Sequence, residues 1–310
     1  MSEIRTAVIG VGYLGKFHAQ KYSQLKNSKL LAVVDKNFEI AKEVATSTGC
    51  TAITDYRELL GQVDAVSIAV PTDLHFDVAK EFLTHQSHVL VEKPITTTLE
   101  QADKLIALAK QNDRIIQVGH LERFNPAMVA LEQQLTEPKF IESHRLAPYN
   151  PRGTEVNVVL DLMIHDIDII LDIVDSEVEK IDASGTAVLS QDIDIANARI
   201  VFKNGCVANV TASRASNKTD RKMRIFQNDA YLSVDFQNRE LAIYRKGNTE
   251  MHPGIPNIDI QTYLYEKSDA LLTEIDHFIT SIKDGSSPKV TGHDGRRALQ
   301  TAIQISELLA

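Results

Sequence analysis

Three side chains in this 310-residue chain are of types, and in settings, that could move a proton: Lys93, Asp161 and His165. In SHVLVEKP, Ser87 to Pro94, a short apolar run reads as a buried strand that stops at Glu92-Lys93-Pro94. Proline has no N–H to give a ladder, so the lysine is expected at a strand's carboxyl end. Open α/β sheets bind ligands at that edge. Asp161 and His165, in LDLMIHDIDIILD, are four residues apart and would share one helix face, with Asp168 and Asp172 near the same stripe. A carboxylate can orient an imidazole and stabilise its protonated form, which makes the pair an acid–base candidate. Two further readings of this helix compete: an acidic stripe facing solvent, or a carboxylate–histidine metal site. No second histidine stands at ligand spacing, so no metal is expected.

A second group of residues could hold a dinucleotide. Gly10-Val11-Gly12-Tyr13-Leu14-Gly15 is a G-x-G-x-x-G that follows a predicted strand and opens a predicted helix. In that setting Gly10 permits the tight turn, Gly12 lets backbone approach a pyrophosphate, and Gly15 lets helix and strand pack closely. The helix N–H groups would face the phosphates. Asp35 lies twenty residues after Gly15, at the end of the next strand. A carboxylate there accepts hydrogen bonds from a ribose and repels a 2′-phosphate, so NAD is expected over NADP. Lys36 beside it pulls the other way.

The elements that must position these groups alternate through the first half. Strands are predicted at Thr6 to Ile9, Leu30 to Val34, Ala52-Ile53, Ala65 to Ala69, His88 to Val91 and Ile115 to Val118. Helices are predicted at Leu14 to Leu25, Phe38 to Ser47, Tyr56 to Leu60, Leu74 to Thr84 and Leu99 to Gln111. That alternation implies an α/β fold with a doubly wound parallel sheet. The second half differs. A Pro- and Asn-rich loop, APYNPRG, leads into a helical pattern from Val156 to Val174. Strands follow at Ile181 to Leu189, Ala196 to Phe202, Cys206 to Ser213, Met223 to Gln227, Ala230 to Val234 and Leu241 to Tyr244. Two helices, Ser268 to Lys283 and Gly295 to Leu309, close the chain. This reads as an α+β domain with a mostly antiparallel open sheet. The expected division is a dinucleotide-binding domain at 1–121 and a substrate-binding and oligomerisation domain at 122–310.

Composition limits the partners. Hydrophobic residues at 43% and charged residues at 24% fit an ordinary globular protein. A formal net charge of -9 argues against nonspecific binding to nucleic acid or an anionic membrane. No apolar run approaches a membrane helix, and the N-terminus has no secretory pattern. Cys50 and Cys206 have no metal or redox spacing, which suits a reducing cytoplasm.

Taken together, Gly10-x-Gly12-x-x-Gly15, Val70-Pro71-Thr72-x-x-His75, Glu92-Lys93-Pro94 and Asp161-x-x-x-His165 resemble the glucose–fructose oxidoreductase / inositol dehydrogenase (Gfo/Idh/MocA) family over nearly the whole chain. The resemblance implies a Rossmann domain followed by a domain whose open sheet often serves oligomerisation, here as a dimer or tetramer. It puts Lys93, Asp161 and His165 on catalytic positions. It puts Pro71, Thr72, His75 and Glu92, with loop residues Tyr13 and Leu14, on the cofactor side. A narrower resemblance rests on GHLERFNP, HRLAPYNPRG and VVLDLMIHDIDII. It is to the branch that oxidises the 3-hydroxyl of UDP-N-acetylglucosamine ahead of an aminotransferase, on a route to lipid A or other surface glycans. Glu122 and Arg123 are then expected at the substrate with Lys93 and His165. Inositol dehydrogenases often carry arginine where Glu122 stands. A diphosphate needs cations, for which Arg152 and Arg214 are the first candidates, with Arg145, Lys218, Arg221, Lys222 and Arg224 nearby. His165 is the first choice of base, and a protonated Lys93 would stabilise an alkoxide. As base, Lys93 would need its pKa of about 10.4 lowered by some three units, roughly 4 kcal/mol. Rival functions are a dehydrogenase of inositol, of a free aldose or of a reduced tetrapyrrole, and a non-catalytic NAD sensor.

Overall fold

The computed structural model describes residues 3–150 and 156–309. Its first half alternates as the sequence implies: β1 (Ile4–Ile9), α1 (Gly15–Gln24), β2 (Ser28–Val34), α2 (Phe38–Thr48), β3 (Thr51–Ile53), β4 (Ala65–Ile68), α3 (Thr72–Thr84), β5 (His88–Glu92), α4 (Leu99–Gln111) and β6 (Ile116–Gly119). Local chemistry sets several of these ends. Asn37 caps α2 by accepting from the Glu39 N–H, and Gly49 ends it in the left-handed region at φ 72°. Thr98 caps α4 by accepting from the Gln101 N–H. Tyr56–Leu59, read as a helix, closes into a single 3-10 turn.

The six strands form one parallel sheet in the order β3-β2-β1-β4-β5-β6. The order reverses between β1 and β4, so the loops after these strands flank the switch-point crevice of a dinucleotide fold. The central strands are buried on both faces, which explains their continuous apolar runs.

The second half contains α5 (Pro126–Glu132), β7 (Pro138–Leu146), a wide π turn at Val159–Met163 running into α6 (Ile164–Ile173), β8 (Val178–Thr186), β9 (Ile195–Phe202), β10 (Val207–Ser213), β11 (Asp220–Gln227), β12 (Ala230–Asp235), β13 (Glu240–His252), β14 (Ile255–Leu264), α7 (Ala270–Asp284) and α8 (Gly292–Leu308). Eight strands form a sheet in the order β14-β13-β12-β11-β7-β10-β9-β8, antiparallel except for the parallel pair β7 and β10. The sequence reading omits three of these elements: α5, β7 and β14. In β7 the buried face holds Ser143 and Arg145 beside Ile141, so no apolar alternation marks it. In β14 Pro256 weakens the strand pattern, and β14 is an edge strand, where proline is tolerated. β8 ends three residues before the predicted Leu189. The N–H groups of Val188, Leu189 and Ser190 turn instead onto the Asp194 carboxylate.

The chain divides into two compact units: Met1–Leu121 with Asp269–Leu299, and Glu122–Ser268 with Gln300–Ala310. The first break falls after Leu121. The C-terminal helices depart from the expected 122–310 domain, because α7 returns to the first unit and the division falls inside α8. Ile275, Phe278 and Ile279 of α7 join Val8, Ala19, Tyr22 and Val33 in one core cluster. An amphipathic helix shows that it has an apolar face, but not which core takes it.

Candidate active site

The glycine loop meets the steric demands of a phosphate cradle. Gly10 has φ +83°, and a Cβ there would lie 2.8 Å from the Ala69 carbonyl oxygen. A Cβ on Gly15 would lie 1.8 Å from the Gly10 oxygen, so only glycine lets α1 start this close to β1. Gly12 is different: a Cβ there would meet nothing within 4 Å. Its lack of a side chain serves something outside the protein's own packing. Asp35, at the end of β2, accepts from the Val11 N–H at 3.1 Å and from the Asn37 N–H at 2.9 Å. Each carboxylate oxygen keeps a further lone pair for a ribose hydroxyl. Open space at Gly12, the N-terminus of α1 and Asp35 together fit a dinucleotide pyrophosphate and its ribose. Tyr13 and Leu14 stand exposed at the loop tip, with the Tyr13 ring edge-on to Phe17 at 6.2 Å.

Lys93 lies one residue beyond β5, half-buried, before a cis Pro94. Its neighbours are fastened to two helices. The Glu92 carboxylate accepts from His18 Nε2 at 3.0 Å and from the Lys93 backbone N–H at 3.3 Å. Burial works most strongly against the Glu92 charge, but the His18 hydrogen bond together with the charges of His18, Lys93 and His75 holds the carboxyl below its ordinary range. His75, expected on the cofactor side, is instead an internal brace. It is buried, with Nδ1 2.9 Å from the Pro94 oxygen and Nε2 3.0 Å from the Val70 oxygen. Burial lowers its pKa, and the two carbonyls partly offset that. Pro71, exposed, and Thr72, half-buried, form the turn into α3 above it. His18 is the residue that sequence reasoning missed in this unit. It lies three positions past Gly15 on α1, and nothing local marks it.

In the second unit the Asn157 side chain accepts from the Val159 and Leu160 N–H groups at 3.1 and 3.2 Å and starts the long helix. Asp161 lies in the wide π turn and His165 in the first turn of α6. Both are half-buried on a largely buried helix. π insertions of this kind are frequent at functional sites. The acidic stripe is divided by its partners. Asp166 is held bidentately by Arg145, at 3.1 Å to Nε and 2.9 Å to Nη2. Arg123 lies 2.7 Å from Asp172 and 3.6 Å from Asp168. Arg145 also donates to Glu122 at 3.0 Å. Burial alone would lower the Arg145 pKa, but Asp166 and Glu122 raise it above the ordinary value. Asp168 and Asp172 thus face Arg123. Glu122 and Arg123 form internal ion pairs of this unit.

Arg214, expected as a diphosphate cation, is engaged inside its own unit. Arg214 is 3% exposed. Its guanidinium donates to Asp194 at 2.8 Å, to the Val156 carbonyl at 2.6 Å and to Ser190 Oγ at 3.2 Å. Burial opposes the Asp194 charge, but Arg214, Ser190 and the loop N–H groups hold its carboxyl well below the usual range. Arg214 is thus the anchor of a loop. Arg221 stays half-exposed, 3.5 Å from Glu122, while Lys222 and Arg224 face Asp235 and Glu142 at 3.6 Å each. Arg152 lies outside the described residues. Among the described residues no group of three or more His, Cys, Asp or Glu could hold a metal ion, and no helix is long and apolar enough to cross a membrane.

Family models match both halves of the chain. One, described as an oxidoreductase family with an NAD-binding Rossmann fold, matches residues 4–120. Another, the GFO/IDH/MocA C-terminal domain, matches residues 132–233. The chain belongs to the Gfo/Idh/MocA oxidoreductase family. Among relatives in this family, a UDP-N-acetylglucosamine 3-dehydrogenase of Acidithiobacillus ferrooxidans is 42% identical over 306 residues, covering 98% of this chain and 97% of its own. A solved structure of that dehydrogenase aligns with a TM-score of 0.94 at 41% identity, over 100% of this chain and 98% of the other. A myo-inositol 2-dehydrogenase of Thermotoga maritima is 26% identical, over 96% of this chain and 93% of its own. The expected family and fold hold, and the glycine loop lies in the part matched as the NAD-binding domain of a Gfo/Idh/MocA oxidoreductase.

Proposed function

We propose that this protein oxidises the 3-hydroxyl of a UDP-N-acetylhexosamine, UDP-N-acetylglucosamine foremost, to the 3-oxo sugar with NAD. The observation that carries this reading is the 42% identity, over 98% of the chain, to a protein named for that activity. Bound along Gly10 to Gly15 and Asp35, the cofactor supplies the hydride-accepting ring. His165 takes the hydroxyl proton, since an imidazole's ordinary pKa of about 6.5 suits neutral pH. Asp161 orients the imidazole, and the Lys93 ammonium stabilises the forming alkoxide. The 3-oxo product is a substrate type for an aminotransferase.

The test is turnover against cofactor binding. Lys93→Ala and His165→Ala should each lower kcat by about 10² to 10⁴-fold, the usual worth of a positioned acid–base group. Both should still bind NAD by titration calorimetry. Wild-type turnover in either variant removes that residue from the chemistry. The family also contains inositol dehydrogenases such as the 26% identical relative. Faster NADH formation with myo-inositol than with UDP-N-acetylglucosamine favours that second reading, and NAD binding without turnover of any sugar or polyol favours a sensor.

We also propose that a second copy of this chain covers the open face of the eight-stranded sheet. Phe140, Phe226, Tyr231 and Tyr244 form a ladder across β7, β11, β12 and β13, with ring centroids 5.9, 4.8 and 4.7 Å apart. Beyond it, Ile255, Ile258, Ile260, Tyr263 and Leu264 of β14 are all exposed. Apolar area of this extent on an edge strand invites a protein partner. The reading includes a cytoplasmic setting, with Cys50 and Cys206 as free thiols.

A further inference from the structure

Two buried histidines each hydrogen-bond to a residue beside Lys93. His18 and His75 are each 1% exposed. His18, on α1, reaches Glu92 at 3.0 Å, and Glu92 in turn accepts from the Lys93 N–H at 3.3 Å. His75, on α3, reaches the Pro94 carbonyl at 2.9 Å. Gly119 makes room for this arrangement, since a Cβ there would lie 3.1 Å from the Glu92 carboxyl. Burying an imidazole costs free energy unless it gains hydrogen bonds, and an apolar side chain of similar size would fill the same space without that cost. Both helices begin at the cofactor-facing edge of the sheet, α1 directly after the glycine loop. The path from loop to lysine is short: α1, His18, Glu92, Lys93.

We propose that His18 and His75 are positioning residues for Lys93, acting through the Glu92 carboxylate and the Pro94 carbonyl, so that the helices opening at the cofactor loops set where the ammonium stands. This rests on the assignment of Lys93 to the chemistry. The groups that bear on Glu92 are His18 from α1, His75 from α3, its neighbour Lys93, and Glu274 from α7. Glu92 is thereby the charge through which His18 acts on the lysine, while His75 acts through the Pro94 carbonyl.

The full-length protein is assayed with NAD and UDP-N-acetylglucosamine. His18→Gln keeps an N–H at the reach of Nε2, while His18→Met fills similar volume without one. His18→Met should lose about 10²-fold in kcat, the scale of a 1 Å misplacement, and His18→Gln should recover most of that. KM and NAD affinity should move little in either. His75→Asn against His75→Leu should rank in the same order. Glu92→Gln keeps the shape of the link but removes its charge, and should move the alkaline midpoint of the kcat–pH profile, where the ammonium is lost, to lower pH, because the ammonium loses a stabilising neighbour. This variant carries the test if the histidine variants fail to fold, judged by Tm. Equal kcat in His18→Gln and His18→Met, or an unmoved midpoint in Glu92→Gln, overturns the brace while Lys93→Ala stays inactive. Full turnover in Lys93→Ala instead overturns the lysine assignment and this inference with it.

Discussion

Gly12 and Gly15 carry the same letter in the motif but answer to different demands. A side chain on Gly15 runs into the Gly10 carbonyl at 1.8 Å, whereas one on Gly12 meets open space. Gly12→Val should therefore keep the wild-type Tm and lose NAD affinity by at least about tenfold, or about 1.4 kcal/mol. Gly15→Val should lower the yield of folded protein. Calorimetric binding and thermal melts on both variants check the split. Glu274 makes a second case. It is fully buried, neither carboxyl oxygen has a hydrogen-bond partner among the described residues, and burial followed by the Glu92 charge raises its pKa well above the ordinary value. A raised acid gives its full stabilisation below its unfolded pKa and loses it as pH rises towards the folded one. Glu274→Gln should therefore raise Tm more at pH 8 than at pH 5, and equal shifts at both would mean that Glu274 is not held neutral. The placement of the glycine loop and of Lys93 at a strand end was legible because local backbone chemistry sets both. Arg214 was not, because a guanidinium aimed at ligand and one tied to Asp194 are the same letter in a sequence.

The long acidic helix carries its charges for two purposes. Asp161 and His165 stay half-open at a π turn, while Asp166, Asp168 and Asp172 hold Arg145 and Arg123 inside the second unit. Breaking one side of a buried ion pair typically costs about 3–5 kcal/mol, because the other charge is left behind. Arg145→Met should reach that range in urea unfolding, and adding Asp166→Asn should recover part of it. Arg214→Leu should behave alike through Asp194, with KM for a UDP-sugar unchanged in the folded fraction. A large rise in KM at full stability would return Arg214 to the substrate. The parallel strands were legible through uniformly apolar runs. β7 was not, although it pairs with both β10 and β11, because Arg145 and Ser143 take core positions where periodicity expects apolar residues.

Two units share this chain, and their membership does not follow chain order, since α7 closes the core of the first unit after the whole second sheet has been laid down. Truncating the chain before Asp269 should therefore destabilise the dinucleotide-binding unit, despite its apparent completeness at residue 121. The open sheet makes the complementary case, with an aromatic ladder and an edge strand whose large apolar side chains stand exposed. Ile258→Lys with Ile260→Lys should lower the sedimentation-derived mass to that of one chain while leaving NAD affinity within about twofold, since apolar edge area drives association and charge opposes it. An unchanged mass would count against this sheet face as a contact between copies of the chain.

The sequence by itself determined the family, the glycine cradle with Asp35, the lysine at the end of β5 and the acid–histidine spacing. Each depends on residues close together in the chain or on a motif with one backbone solution. Only the tertiary structure decided that His18 and His75 flank the lysine turn, that Arg214 and Arg123 are neutralised inside their own unit, and which core α7 completes. These outcomes depend on burial and on partners dozens of residues away, and neither is a property of the letters in order.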